Sequence, residues 1–196
     1  RLREQGSFEV QGFTLTQAMV KEVRRGSRMV QEEKFVPSVI EPSFGLGRLV
    51  YAVLEHSFAL RADAKRTFFA FAPALAPYKA VLLPLLAKEP LVARAEQLVK
   101  GLRRASVSCR ADCGSSAIGR RYARTDEVGI PFAVTVDFTT LDDDSVTLRE
   151  IGSMEQVRVP GGELVALLQA LVRGETAWGE LLQRFPRHTP VEESEP

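Results

Sequence analysis

The chain has 196 residues, 45% of them hydrophobic, enough to bury one large core or two modest ones. Its 26 Lys and Arg stand against 25 Asp and Glu, a formal net charge of +1, so attraction to a polyanion must come from local patches and not from overall charge. Two cysteines, Cys109 and Cys113, are too few and too close for a disulfide framework, which points to a reducing, intracellular setting, and no apolar run reaches the roughly 18 residues of a membrane span.

The sequence opens RLREQGS, with neither an initiator Met nor a signal-peptide pattern, and is read as a piece of a longer protein. Residues 7–36 predict strand and turn: SFEVQGFTLT alternates Phe8, Val10, Phe13 and Leu15 around Gly12, and MVQEEKFVP follows the basic KEVRRGSR. VIEPSFGLGR then sets Glu41, Ser43 and Arg48 around a glycine turn. From Gly47 the pattern is helical, with Leu49, Val50, Val53, Leu54 and Phe58 forming a broad apolar face that needs a cover. The charged stretch ALRADAKRTF predicts a linker.

A second organisation starts near Thr67. YKAVLLPLL, Tyr78 to Leu86, predicts a central strand covered on both faces. LVARAEQLVKGLRR predicts a helix with Leu91, Ala95, Leu98, Val99 and Leu102 on one side, and VSCR a short strand after it. SSAIGRRYARTDEVG predicts a helix capped by Ser115 or Ser116 and stopped by Gly129. PFAVTVDF, SVTLRE and EQVRV read as strands, the DDDS segment between the first two as a turn, and the later strands as an antiparallel meander. GGELVALLQALVRG and TAWGELLQRF predict two helices divided by Gly174, the second capped by Thr176, with Trp178, Leu181, Leu182 and Phe185 as core. HTPVEESEP predicts a disordered tail. The result is an α/β domain of about 120 residues, a mixed sheet with helices against it, preceded by a remnant of something else.

Charge is segregated along the second organisation: Arg94 to Glu127 holds eight basic and four acidic residues, Asp137 to Glu155 one basic and six acidic. Arg120 and Arg124 share a helical face with Arg121 beside them. Guanidinium groups bind phosphate bidentately and stack on bases, so this helix is a candidate nucleic-acid surface. The alternative is a helix whose arginines pair with Asp126, Glu127 and the acidic turn. Cys109 and Cys113 lack the companions of a zinc or redox site, and no metal site is expected. His56, on the apolar helix, reads as a half-buried histidine and not a ligand. GLGR lacks the Gly-Lys-Ser/Thr ending of a phosphate loop. Chemically, Glu41 suits an ammonium group, Ser43 adds a hydrogen bond and Arg48 suits a phosphate, while an ion pair between Glu41 and Arg48 would fix the turn equally well.

VIEPSFGLGR with its apolar helix, followed by SSAIGRRYARTDEVGIPFAVTVDF, resembles the C-terminal part of glycyl-tRNA synthetase of the eukaryotic and archaeal type, from Ser7 to Phe185. The resemblance implies a class II aminoacyl-tRNA synthetase, which uses ATP with Mg2+ to activate glycine and passes it to tRNA(Gly), and which is a homodimer, cytoplasmic and in some cases also mitochondrial. It implies a catalytic remnant over residues 1–61, part of an antiparallel sheet with the third class II motif, and an anticodon-binding domain over 67–186 with a mixed five-stranded sheet flanked by helices. Residues 187–196 form the tail.

On this resemblance Glu41, Pro42 and Ser43 contribute to the glycine site, Arg48 contacts ATP, and Arg120, Arg121 and Arg124 contact tRNA. The first two motifs are absent, so this stretch alone is expected to hold no cofactor and to make no glycyl-adenylate. A rival from another class is a non-catalytic relative, such as the DNA-binding accessory subunit of mitochondrial DNA polymerase. Retention of Glu41, Ser43 and Arg48 together favours the enzyme.

Overall fold

The computed structural model describes residues 6–22, 24–62 and 66–189. By its contacts the chain divides into two compact units, Arg1–Ser43 and Phe44–Pro196. In the first, β1 (Ser7–Val10) and β2 (Phe13–Thr16) pair antiparallel, with Phe8 opposite Leu15 and Val10 opposite Phe13. Gln11 and Gly12 join them at φ of 49° and 81°, the positive dihedrals whose twist matches a two-residue hairpin. A short 3-10 helix, Gln17–Met19, follows. The strand expected over MVQEEKFVP does not form: the backbone there is irregular and Met29, Phe35 and Val36 are exposed. Alternation alone does not make a strand when no neighbour pairs its N–H and C=O groups.

The second unit opens with α1 (Leu46–Ser57), whose apolar side chains Leu46, Leu49 and Val50 are exposed, as is His56, which was expected half-buried. The stretch expected as a linker instead contributes two short strands, β3 (Phe58–Leu60) and β4 (Thr67–Phe69), paired antiparallel. The hairpin is held from outside. Arg61 is buried, donating to the Gly152 carbonyl at 3.0 Å and to the Asp126 carboxylate at 2.7 Å, with its guanidinium 3.8 Å from the Phe68 ring centroid.

The main sheet contains β5 (Ala80–Pro84), β6 (Cys109–Ala111), β7 (Phe132–Val136), β8 (Ser145–Glu150) and β9 (Gln156–Pro160), in the order β6-β5-β7-β8-β9. β5 pairs parallel with β6 and β7, and β7-β8 and β8-β9 are antiparallel, which is the mixed five-stranded sheet expected. β5 is central and wholly buried because helices cover both faces. On one face lie α2 (Glu89–Arg104), α5 (Leu164–Arg173) and α6 (Trp178–Arg184), packed on Leu82, Val134, Leu148 and Val157. α2 buries Leu91, Ala95, Leu98, Val99 and Leu102, the five positions its period predicts. Each buried Leu or Val among them contributes about 1.5–3 kcal/mol by leaving water, and Ala95 less. On the other face α3 (Ile118–Glu127) sets Ile118 and Tyr122 over Val81, Leu83 and Ala133.

Several local expectations are corrected. The N-cap positions of α3 and α6 are Ala117 and Ala177, not a serine or Thr176, and neither side chain caps. Chain reversal before α3 is fixed by Asp112, whose carboxylate accepts from Gly114 N at 3.0 Å, and Glu180 accepts from the N–H of Ala177 at 3.2 Å. DDD is not a turn but the end of a short helix, α4 (Phe138–Asp143), capped by Asp137, which accepts from Thr140 N at 3.0 Å. The expected tail begins in order: Arg187 bridges Val157, and His188 N donates to Gln156 O at 2.9 Å. Residues 190–196 lie outside the described residues.

Gly129 stops α3 at φ 70°, with its N–H donating to Asp126 O at 3.0 Å. A Cβ there would stand 2.4 Å from Phe71 and 2.8 Å from Phe69, two rings stacked at 5.2 Å. Gly129→Ala combines the left-handed penalty of about 1–2 kcal/mol with overpacking of about 1–3 kcal/mol. We expect urea unfolding to show a loss of about 2–5 kcal/mol from these two costs.

Candidate nucleic-acid interface

The three arginines predicted on α3 have different environments. Arg120 is exposed. Arg121 is 1% exposed: its guanidinium donates to the Pro84 carbonyl at 2.6 Å and to the Asp112 carbonyl, and its Nε lies 3.8 Å from an Asp112 carboxylate oxygen. Burial pulls the Arg121 pKa down and Asp112 opposes that pull; a guanidinium is not deprotonated in proteins, so the group stays cationic. Arg121 therefore ties the end of β5 to the loop after β6, and in this fold it does not face a ligand. Where Arg121 was expected to contact tRNA, its guanidinium is occupied within the protein. Arg124 has half its side chain exposed and lies 3.4 Å from Asp112 Oδ2. Asp126, expected as a partner within α3, is engaged by Arg61 and Arg149 instead.

The strand order places a crevice beside α3. β5 leads through α2 to β6 on one side, and β6 leads through α3 to β7 on the other, so α2 and α3 cover opposite faces. Between the C-terminal ends of β5 and β7 the chain diverges in both directions, the position where open α/β sheets receive ligands. An opening of about 510 Å³ runs from there across the α3 face of the sheet, bounded by Leu85 after β5, Asp137 and Phe138 after β7, Tyr122 of α3, and Gln156 and His188 at the β9 edge.

Its chemistry is aromatic and neutral-polar. Phe138 is 46% exposed, with Lys88 Nζ 5.0 Å from its ring centroid. The Tyr122 hydroxyl lies 2.5 Å from Thr135 Oγ1, and burial pushes the phenol pKa up, so it stays protonated. Burial pushes the Asp137 carboxyl up, but hydrogen bonds from Arg158 and the Thr140 N–H outweigh it and hold the pKa below the usual carboxylate range. Among the described residues that line the crevice there is no Lys or Arg. A ring to stack on and neutral donors and acceptors suit an unstacked base, and Asp137, its charge paired with Arg158, leaves no free cation among those residues for a phosphate.

Glu41, Pro42 and Ser43 are exposed in irregular backbone at the end of the first unit. Arg48 is exposed in the first turn of α1, in the second unit, its side chain folded against Gly45 with Cδ at 3.6 Å from the Cβ position of that glycine. The two groups belong to different units. Cys109 is buried and Cys113 half-buried, and burial raises both thiol pKa values, so neither is a ready thiolate. Among the described residues no group of three or more His, Cys, Asp or Glu is placed to hold a metal ion, and no helix is long and apolar enough to cross a membrane.

The crevice residues Tyr122, Phe138, Gln156 and His188 were not singled out from sequence. Their signal is the strand order, which a linear pattern does not contain.

Residues 79–171, from β5 into α5, match the protein family described as "Anticodon binding domain". Among similar proteins, the glycine-tRNA ligase of Bombyx mori is 42% identical over 177 residues, 89% of this chain and 24% of that protein. That of Methanocaldococcus jannaschii is 43% identical over 148 residues, 76% of this chain and 25% of that protein. The "Glycine-tRNA ligase 1, mitochondrial" of Saccharomyces cerevisiae is 40% identical over 159 residues, 81% of this chain and 23% of that protein. The chain thus spans about a quarter of the length of these relatives.

Proposed function

Because the chain belongs to the glycine-tRNA ligase family and carries its anticodon-binding domain, we propose that it serves a ligase that activates glycine with ATP and Mg2+ and transfers it to tRNA(Gly), and that the crevice between β5 and β7 receives unstacked bases of the anticodon loop. The observation that carries this reading is the coincidence of the matched domain, residues 79–171, with a sheet whose switch point opens beside an exposed Phe138. Base-on-aromatic stacking supplies affinity, and neutral groups such as Gln156 and the Tyr122 hydroxyl supply edges to pair with.

Arg120 and Arg124 add phosphate contact from α3, while Arg121 acts through the geometry it imposes on the loop after β6. In the full-length protein Glu41, Pro42 and Ser43 form part of the glycine site and Arg48 meets ATP. A carboxylate recognises an ammonium group through charge-assisted hydrogen bonds, and an arginine stabilises charge as pyrophosphate leaves. Residues 1–61 are then the end of the catalytic domain and 67–186 the anticodon-binding domain of a homodimer. The location proposed with this reading is cytoplasmic and also mitochondrial, the second being the compartment in the name of the yeast relative. Nothing among the relatives supports the polymerase accessory subunit.

The test is Phe138→Ala in the full-length protein. Loss of one stacked base, about 1–3 kcal/mol, raises the Kd for tRNA about 5- to 150-fold. The variant should also lose discrimination against a tRNA altered only in its anticodon bases. Unchanged Kd and unchanged discrimination would return the crevice to a structural role.

A further inference from the structure

On the opposite flank of α3 from the crevice, a second opening of about 360 Å³ is bounded by Arg110 of β6, Asp112, Cys113 and Arg124. Cys109 and Ala111 pack into the core on the α2 face, so the intervening Arg110 projects to the α3 face, where Arg124 also stands. Among the described residues the buried Arg110 Nε has no hydrogen-bond partner, and Arg124 is held by the 3.4 Å contact to Asp112. Asp112 itself is engaged: it accepts from Gly114 N and lies near the buried Arg121. Two guanidinium groups, those of Arg121 and Arg124, thus lie within 3.8 Å of the one carboxylate, and Arg110 lines the same opening, with Glu96 of α2 a further acidic neighbour of Cys113.

We infer that Arg110 and Arg124 grip one backbone phosphodiester of the RNA whose bases enter the crevice, a contact that rests on the tRNA reading given above. The two flanks of α3 divide the work. Aromatic and neutral groups take bases on one side, and two arginines over a buried third cation take a phosphate on the other, separated by a helix about 10 Å across. Planar guanidinium forks suit a phosphate oxygen pair, and loosely held arginines release little on binding it.

The experiment measures tRNA affinity of the full-length protein against salt concentration. Arg110→Gln with Arg124→Gln should raise Kd about five- to twenty-fold and reduce the steepness of log K against log salt by about 0.7–0.9, the value of one neutralised phosphate. Arg110→Lys with Arg124→Lys keeps the charge, so the slope should persist while Kd rises only a few-fold. Arg173→Gln, an exposed arginine of α5 on the other face of the sheet, should change neither. A glutamine pair with Kd within twofold and an unaltered slope, beside a Phe138→Ala variant that still loses affinity, would overturn the phosphate site and leave the crevice reading intact. Affinity insensitive to both the pair and Phe138→Ala would remove both readings.

Discussion

Replacing Asp126 with asparagine should lower the unfolding free energy of the second unit by about 3–5 kcal/mol, the cost of leaving a buried charge without its partner. Asp126 is 5% exposed and accepts from Arg61 Nη2 at 2.7 Å and from Arg149 at 2.9 and 3.1 Å. Both arginines are themselves buried, one against Phe68 and the other 4.7 Å from the Tyr122 ring centroid. Asparagine keeps the shape but turns two ion pairs into two uncompensated guanidinium groups.

Against a total stability of about 5–15 kcal/mol, such a loss approaches collapse. The measurement is urea unfolding followed by circular dichroism, and a loss under about 1 kcal/mol would show that water reaches the site and screens it. Replacing all three residues together, Arg61→Met, Asp126→Leu and Arg149→Met, should cost less than Asp126→Asn alone, because no charge is left stranded. This cluster also decides where the β3–β4 hairpin lies, since Arg61 follows β3 directly.

Arg121→Ala should cost about 2–6 kcal/mol, from the buried Pro84 carbonyl and the half-buried Asp112 carbonyl, which lose their donor at about 1–3 kcal/mol each. The variant also removes a side chain buried to 1% exposure, leaving a cavity that the end of β5 and the loop after β6 must close. Arg121→Lys should recover only part of the loss, since one ammonium does not span both carbonyls as a planar fork does. Its tRNA-binding salt slope should match that of the unmodified protein, because this cation meets no phosphate. A reduced slope in folded Arg121→Lys protein would restore the direct contact that the helical pattern suggested.

What could be read directly was set by short-range periodicity. The face of α2 that carries Leu91, Ala95, Leu98, Val99 and Leu102 follows from its 3.6-residue repeat, and PFAVTVDF was legible as a strand, although β7 is buried at every position because both faces of the sheet are covered. The pairing of EPSFGLGR with GRRYARTDE was enough to point to the family. Short strands were misread: three residues of β3 and three of β4 carry too little pattern to stand out from a charged linker. The fate of each arginine was not legible either. Arg120, Arg121 and Arg124 occupy adjoining sectors of one helix, and their spacing does not say which of them meets a neighbour.

The sequence by itself thus determined the α/β alternation, the core positions and the family, because these depend on repeats within one element and on long matched stretches. Tertiary structure alone decided that Arg121 closes on Pro84, 37 positions earlier, and that Asp126 joins Arg61, 65 positions away, and Arg149, 23 away. It also decided that the loops after β5 and β7 face each other across a crevice. Those contacts arise from strand order, and strand order is a property of the whole sheet: it places side by side residues that no local period relates.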